Sequence, residues 1–138
     1  MEKKEIIAIV GGTGKEGKGL AYRWAKSGYE VIIGSRKLEK AQTAVLEIKE
    51  LLDPEFQGFL SGAENFEAVK PADIVVLTIP YQFHKDMLLQ LKPHMNGKTF
   101  LDVTVPLVPP RVSVITIPEN ERTTLDDVIA IYWKEESL

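Results

Sequence analysis

A glycine-rich turn behind a short apolar run constrains this chain more than any other feature. The run Ile6–Val10 is continuous and mostly β-branched, as in a parallel strand that helices cover on both faces. It leads directly into Gly11-Gly12-Thr13-Gly14-Lys15-Glu16-Gly17, which has the spacing G-x-G-x-x-G at Gly12, Gly14 and Gly17. This spacing between a buried strand and a helix is typical of a unit that binds a dinucleotide.

Each glycine of the turn has a mechanical role in such a unit. Gly12 permits the tight turn, Gly14 lets the backbone approach a pyrophosphate, and Gly17 lets the helix pack on the strand. The backbone N–H groups around Thr13, Lys15 and Glu16, at the positive end of the helix dipole, are expected to bind the phosphates. The alternative is a glycine-rich turn without a ligand, which the position between strand and helix disfavours.

The residues after the second predicted strand, 31–33, select between dinucleotides. A unit for NAD has Asp or Glu about 20 residues after the glycines to bind the ribose 2′-hydroxyl, whereas Arg there suits a 2′-phosphate. This chain has Ser35 and Arg36 in the window, no carboxylate beside them, and Lys40 four residues beyond Arg36, expected on the same helix side. We therefore predict NADP(H). The alternative is a solvated basic helix start, but such cations oppose the helix dipole, and an anion would account for them.

Alternation of strands and helices predicts the fold. We expect an α/β protein with a Rossmann-type, doubly wound, mostly parallel sheet of five or six strands, in a single domain covering 1–138. Beyond the first strand, strands are predicted at 31–33, 56–60, 73–79, 98–103 and 112–117. Helices are predicted at 15–27, 37–52, 63–69, 83–91 and 124–134.

Further candidate contacts follow the strand predicted at 73–79. Ile79 and Pro80 lie beside the expected nicotinamide position, where apolar side chains would flank the ring. His84 could hydrogen-bond the nicotinamide ribose or a phosphate, and a surface histidine is an equally weighted alternative. Asp102 and Thr104, at the end of the fifth predicted strand, 98–103, face the same crevice, but the sequence assigns no His or Lys partner to either. No catalytic residue is assigned, since hydride transfer needs mainly a well-held cofactor.

Composition excludes several kinds of site and partner. The chain has no cysteine, which excludes disulfides, thiolate nucleophiles and cysteine-based metal sites, and no metal site is expected. With 17 basic and 20 acidic side chains interspersed, the net charge of -3 predicts neither a nucleic acid nor an anionic membrane partner. The first apolar run is too short for a signal peptide or a spanning helix, so we expect a cytoplasmic protein.

Four motifs, in order, resemble those of the NADPH-dependent coenzyme F-420 (F420) reductases, also called F420-dependent NADP oxidoreductases. They are Gly11-Gly12-Thr13-Gly14 with Gly17-Lys18-Gly19-Leu20-Ala21, then Gly34-Ser35-Arg36, Leu77-Thr78-Ile79-Pro80, and Asp102-Val103-Thr104-Val105-Pro106-Leu107. The resemblance covers about residues 5–110. It implies NADP contacts at Thr13, Ser35, Arg36, Lys40, Ile79, Pro80 and His84.

The resemblance implies hydride transfer between NADPH and the deazaflavin coenzyme F-420 in a shared cleft. Family members continue past 138 residues into a part that residues 125–138 do not resemble, and 111–138 is a divergent terminal segment. The alternative is a non-catalytic NADP-binding module, or a fragment that needs another chain or domain for catalysis. A different small acceptor, such as an imine or carbonyl, also stays open. From the apolar residues after Pro110 we further expect a symmetric homodimer.

Overall fold

The computed structural model describes residues 4–103, 107–108 and 111–114. Five parallel strands form one sheet: β1 (Ile6–Val10), β2 (Glu30–Ser35), β3 (Leu60–Glu64), β4 (Ile74–Leu77) and β5 (Thr99–Asp102). Their order is β3-β2-β1-β4-β5, so the chain crosses from one half of the sheet to the other beside β1. This arrangement confirms the predicted Rossmann-type α/β fold, with five strands in the sheet.

Four helices connect the strands: α1 (Lys15–Lys26), α2 (Leu38–Leu51), α3 (Asn65–Val69) and α4 (His84–Leu91). Two 3-10 turns, Tyr81–Phe83 and Lys92–His94, flank α4. A separate antiparallel hairpin pairs β6 (Leu107–Val108) with β7 (Arg111–Val114). Within the described residues, no helix is long and apolar enough to cross a membrane.

The apolar run of β1 is buried because β1 is the central strand. Ile7 lies in register between Val31 of β2 and Ile74 of β4, and Ala8, Ile9 and Val10 are fully buried. Side chains of successive residues point to opposite faces, so one run supplies both halves of the core. One apolar cluster includes residues of α1 and α2, and the other includes residues of α3 and α4. The sheet is thus covered on both faces.

Small residues bring α1 close to the sheet. Gly17, Ala21 and Ala25 are buried at four-residue spacing, so they share one face of the helix. A Cβ on Gly17 would lie 2.6 Å from the Gly12 Cα, which shows how closely the helix start approaches the loop. The helix is followed by Gly28, whose φ of 97° favours glycine.

The third strand differs from its prediction. The strand was predicted at 56–60, a segment that includes the apolar residues Phe56, Phe59 and Leu60, but β3 begins at Leu60 and ends at Glu64. Phe59 is exposed, and Phe56 packs against the core from the preceding loop. The strand lies at an edge, where Gly62 permits close approach to Ala41 of α2. Of the strand predicted at 112–117, only 112–114 is described, as part of β7, and the helix predicted at 124–134 lies outside the described residues.

Candidate nucleotide-binding site

The glycine loop forms the centre of the carboxyl edge of the sheet. The Gly12 N–H donates to the Gly34 carbonyl at 2.9 Å, which joins the loop after β1 to the end of β2. Gly11 has a φ of 70°, and a Cβ there would come within 2.4 Å of the Ile79 Cγ2. The loop is therefore held between the ends of β2 and β4, the two neighbours of β1.

Gly14 differs from its neighbours because it leaves space open. A Cβ on Gly14 would meet no protein atom within 4 Å, whereas one on Gly12 would lie 2.9 Å from the Ile9 carbonyl oxygen. Gly14 is exposed, has a φ of -78° that any residue adopts, and is the N-cap of α1. No side chain of the described residues caps α1 at Gly14. The first N–H groups of α1, among them those of Lys15 and Glu16, have no side-chain cap at Gly14, and a helix start of this kind can receive an anion.

Two polar side chains to which the sequence analysis gave no role of their own hold this loop. Asn65, only 5% exposed, accepts a hydrogen bond from the Gly11 N–H through its Oδ1 at 3.1 Å. The Thr78 hydroxyl donates toward the carbonyls of Val10 and Gly11, both at 3.1 Å. Both residues follow strands of the sheet at its carboxyl edge, and that position was the one available signal for them. The loop is thereby held in shape by groups outside the glycine motif.

The predicted 2′-phosphate residues lie at the end of β2 and the start of α2. Ser35 is buried, and its Oγ accepts the Lys37 N–H at 3.3 Å, so its hydroxyl hydrogen can point elsewhere and donate. Arg36 is exposed and precedes α2, so the helical spacing assumed between it and Lys40 does not apply. Lys40 is exposed in the first turn of α2, beside the same edge.

A cavity of about 390 Å³ lies between the glycine loop, α1 and α2. Thr13 and Lys40, two of the predicted site residues, line it together. The others are Lys18, Glu39, Thr43, Ala44 and Glu47. The Lys18 Nζ donates to the Glu47 Oε2 at 2.6 Å, and this ion pair joins α1 to α2 across the cavity. Both cations and carboxylates therefore surround the space beside the predicted phosphate site.

The other half of the edge contains a histidine–carboxylate pair, in which the histidine is buried and the aspartate is half-buried. The His84 Nε2 and the Asp102 Oδ2 form a hydrogen bond, and His84 is only 5% exposed. The alternative of a surface histidine is therefore wrong, as is the expectation that Asp102 has no assignable His partner. The two residues are 18 positions apart, so no local pattern joined them, although both lie at the carboxyl edge. Thr104 lies outside the described residues.

The remaining predicted contacts follow β4. Ile79 is half-buried against Gly11, and Pro80 is exposed and precedes the 3-10 turn that leads into α4. Ile79 thus stands between the glycine loop and the His84–Asp102 pair. The predicted site residues that the structure describes lie at one edge of the sheet. Direct contact of each with a nucleotide stays a prediction.

Comparisons with known proteins agree with this arrangement. Residues 6–106 match the family model described as NADP oxidoreductase, coenzyme F420-dependent. An F420-dependent NADP reductase of Methanocaldococcus jannaschii is 44% identical over 102 residues, which are 73% of this chain and 45% of that protein. One from Methanothermobacter marburgensis is 46% identical over 104 residues, again 73% and 45% of the two chains. The chain spans about half the length of these relatives.

Solved structures share the fold at low sequence identity. A protein from an Arthrobacter strain, described as an F420-dependent NADP reductase, superposes with a TM-score of 0.66 at 22% identity and covers 93% of this chain and 59% of its own. Lactate dehydrogenase from Eimeria maxima, solved with NADH and oxamate, gives 0.64 at 12% identity over 94% of this chain and 41% of its own. At these identities the likeness concerns the fold alone.

Proposed function

The chain belongs to the family of coenzyme F420-dependent NADP oxidoreductases, and from this we propose that it binds NADP(H) for hydride transfer between NADPH and the deazaflavin F420. The observation that carries the proposal is the open space at Gly14, in front of the uncapped start of α1. A pyrophosphate fits there because backbone N–H groups and the helix dipole both favour an anion.

The choice of NADP(H) over NAD(H) rests on the groups after β2. Ser35, Arg36 and Lys40 provide one hydroxyl and two cations at the carboxyl edge, beside the glycine loop. A guanidinium can donate two parallel hydrogen bonds to a phosphate, which a ribose hydroxyl cannot match. The adenosine half of the cofactor is accordingly assigned to the β1–β2 side, with Thr13 and Lys40 at the neighbouring cavity.

The nicotinamide half is assigned to the β4–β5 side, since a dinucleotide binds across the point where the strand order reverses. Ile79 and Pro80 would hold the ring, and their apolar surface would exclude water from one side of it. The nicotinamide ring, when bound, supplies or accepts the hydride. The chain's contribution to the reaction is then to bind and orient the cofactor.

Nucleotide titration of the full chain tests the binding proposal. NADPH should bind at least tenfold more tightly than NADH, because a bidentate charge-assisted contact contributes about 1.5–3 kcal/mol. Arg36→Ala should bring the two dissociation constants within about threefold of each other. Arg23→Ala, which removes an exposed cation from the last turn of α1, is the matched control and should leave the preference intact. Equal affinities in the unaltered chain would contradict the proposal.

A second measurement addresses the reaction and the acceptor. NADPH oxidation by the full chain should depend on added F420. Tight NADPH binding without F420-dependent oxidation would favour the alternative, a non-catalytic module or a fragment that needs another chain or domain. Oxidation with a small imine or carbonyl instead would favour a different acceptor. The cytoplasmic location and the symmetric homodimer remain predictions within this proposal.

A further inference from the structure

The His84–Asp102 pair has a defined position relative to the proposed nicotinamide. Asp102 is the last residue of β5 and lies in register with Leu77, the last residue of β4. His84 begins α4, directly after the turn that follows Ile79 and Pro80. Neighbouring strands are about 4.8 Å apart, which places the end of β5 about 10 Å from the end of β1 and its glycine loop. The pair therefore stands on the side of the edge assigned to the nicotinamide.

The two partners differ in their exposure to solvent. The side chain of His84 is 6% exposed, whereas that of Asp102 is 19% exposed. The imidazole is covered in part by Tyr81, whose ring stacks on it at a centroid distance of 6.2 Å. Because a carboxylate only accepts, the His84 Nε2 carries the proton of the shared hydrogen bond. The histidine is thus the buried donor and the aspartate is the more accessible member.

We propose that Asp102 is the side chain that meets the nicotinamide half of the cofactor, and that its carboxylate favours the oxidised, positively charged ring over the reduced, neutral one. His84 is a positioning residue, which fixes the direction of the carboxylate from behind. A carboxylate can also accept bonds from ribose hydroxyls or the carboxamide N–H, since its two oxygens offer about four acceptor sites.

This inference rests on the proposed function, and its test separates the two. Dissociation constants for NADP⁺ and NADPH are measured with the full chain and with Asp102→Asn. Asparagine keeps the size and an acceptor for the His84 Nε2–H, so it removes mainly the charge. The NADP⁺ to NADPH ratio of dissociation constants should rise about tenfold, which corresponds to about 1.4 kcal/mol. Only folded molecules bind, so a partial loss of folding cancels from the ratio.

Three further variants assign the roles. Asp86→Asn removes an exposed carboxylate from the same helix as His84 and should leave the ratio unchanged. His84→Ala should raise the ratio by less than Asp102→Asn does, because Asp102 keeps its charge and loses only the hydrogen bond from His84 that fixes the direction of its carboxylate. His84→Gln retains an N–H donor and should restore the ratio to within about threefold of the original.

The outcomes are distinct. An unchanged ratio in Asp102→Asn, in a protein whose unaltered form binds both nucleotides, refutes the role of Asp102 and leaves the proposed function standing. If only the two His84 variants, His84→Ala and His84→Gln, lose affinity, and lose it equally for NADP⁺ and NADPH, the histidine is the direct ligand. That result would also refute the role of Asp102. If the unaltered chain binds neither nucleotide, the proposed function fails and this inference fails with it.

Discussion

Replacement of Gly14 by valine separates ligand binding from folding. The space around this residue is open, since a Cβ would meet no protein atom within 4 Å, and its φ of -78° and ψ of 173° suit a β-branched residue. The folded protein should therefore tolerate the change. A side chain in that space would instead stand where the pyrophosphate must approach the backbone.

The two effects differ greatly in size. Loss of glycine flexibility in the unfolded chain favours the variant by about 0.4–1 kcal/mol. Loss of a preferred N-cap residue opposes it by a similar amount, so the free energy of unfolding should change by less than about 1 kcal/mol. Binding should lose at least two charge-assisted hydrogen bonds at about 1.5–3 kcal/mol each. The dissociation constant for NADPH should therefore rise more than about 100-fold.

Gly17→Ala is the matched comparison in the same motif. A Cβ there would lie 2.6 Å from the Gly12 Cα and 2.8 Å from its carbonyl atoms, and backbone cannot move aside as a flexible side chain can. Overpacking of this kind costs about 1–3 kcal/mol. Gly17→Ala should thus unfold at lower urea concentration, whereas Gly14→Val should unfold near the unaltered protein.

Urea unfolding followed by circular dichroism and NADPH fluorescence titration measure the two quantities separately. Normal NADPH affinity in Gly14→Val would mean that the glycine loop is only a turn. Strong destabilisation of Gly14→Val would mean that the added side chain meets protein atoms, and the inference of an open space at Gly14 would then be wrong.

Two further predictions concern the support of the site and the assembly of the chain. Asn65→Leu should lower the free energy of unfolding by about 1–3 kcal/mol in urea titration, because the Gly11 N–H loses its buried acceptor; an unchanged value would show that water replaces the amide. Light scattering over a tenfold concentration range should show the mass of a dimer, as expected for a symmetric dimer whose contact involves residues after Pro110. A monomeric mass throughout would end that proposal.

Local patterns allowed much of the fold to be predicted. The run Ile6–Val10 and the glycine motif that follows are adjacent in sequence, so one stretch specifies a buried strand, its turn and the start of a helix. Strand β3 was misplaced because its residues include Ser61, Gly62 and Glu64, which lack an apolar pattern. Its place depends on backbone pairing with β2 and on close packing of Gly62 against α2. Such contacts are tertiary and override propensity.

The residues of the candidate site also divide into those that local sequence patterns identify and those that depend on tertiary contacts. Residues that are proposed to bind through the backbone or through one local cluster, such as Gly14 and Arg36, can be identified from their spacing to a strand. Asn65 and the His84–Asp102 pair act through partners that are 54 and 18 positions away. Only the order of the strands, which brings the ends of β3, β4 and β5 to one edge, makes them neighbours.

Buried polar contacts on both sides of β1 have a common consequence for binding. Asn65 reaches the glycine loop from the end of β3, and Thr78 reaches it from the end of β4, so three hydrogen bonds from two side chains hold the same backbone segment. A loop held in this way loses little conformational entropy when an anion binds, and binding energy is then available for selecting the nucleotide. The groups proposed to select the nucleotide, Ser35 and Arg36 on one side and Asp102 on the other, lie on opposite sides of this loop. If these proposals hold, a change at either side should alter the affinity for its own half of the cofactor and leave the pyrophosphate position unchanged.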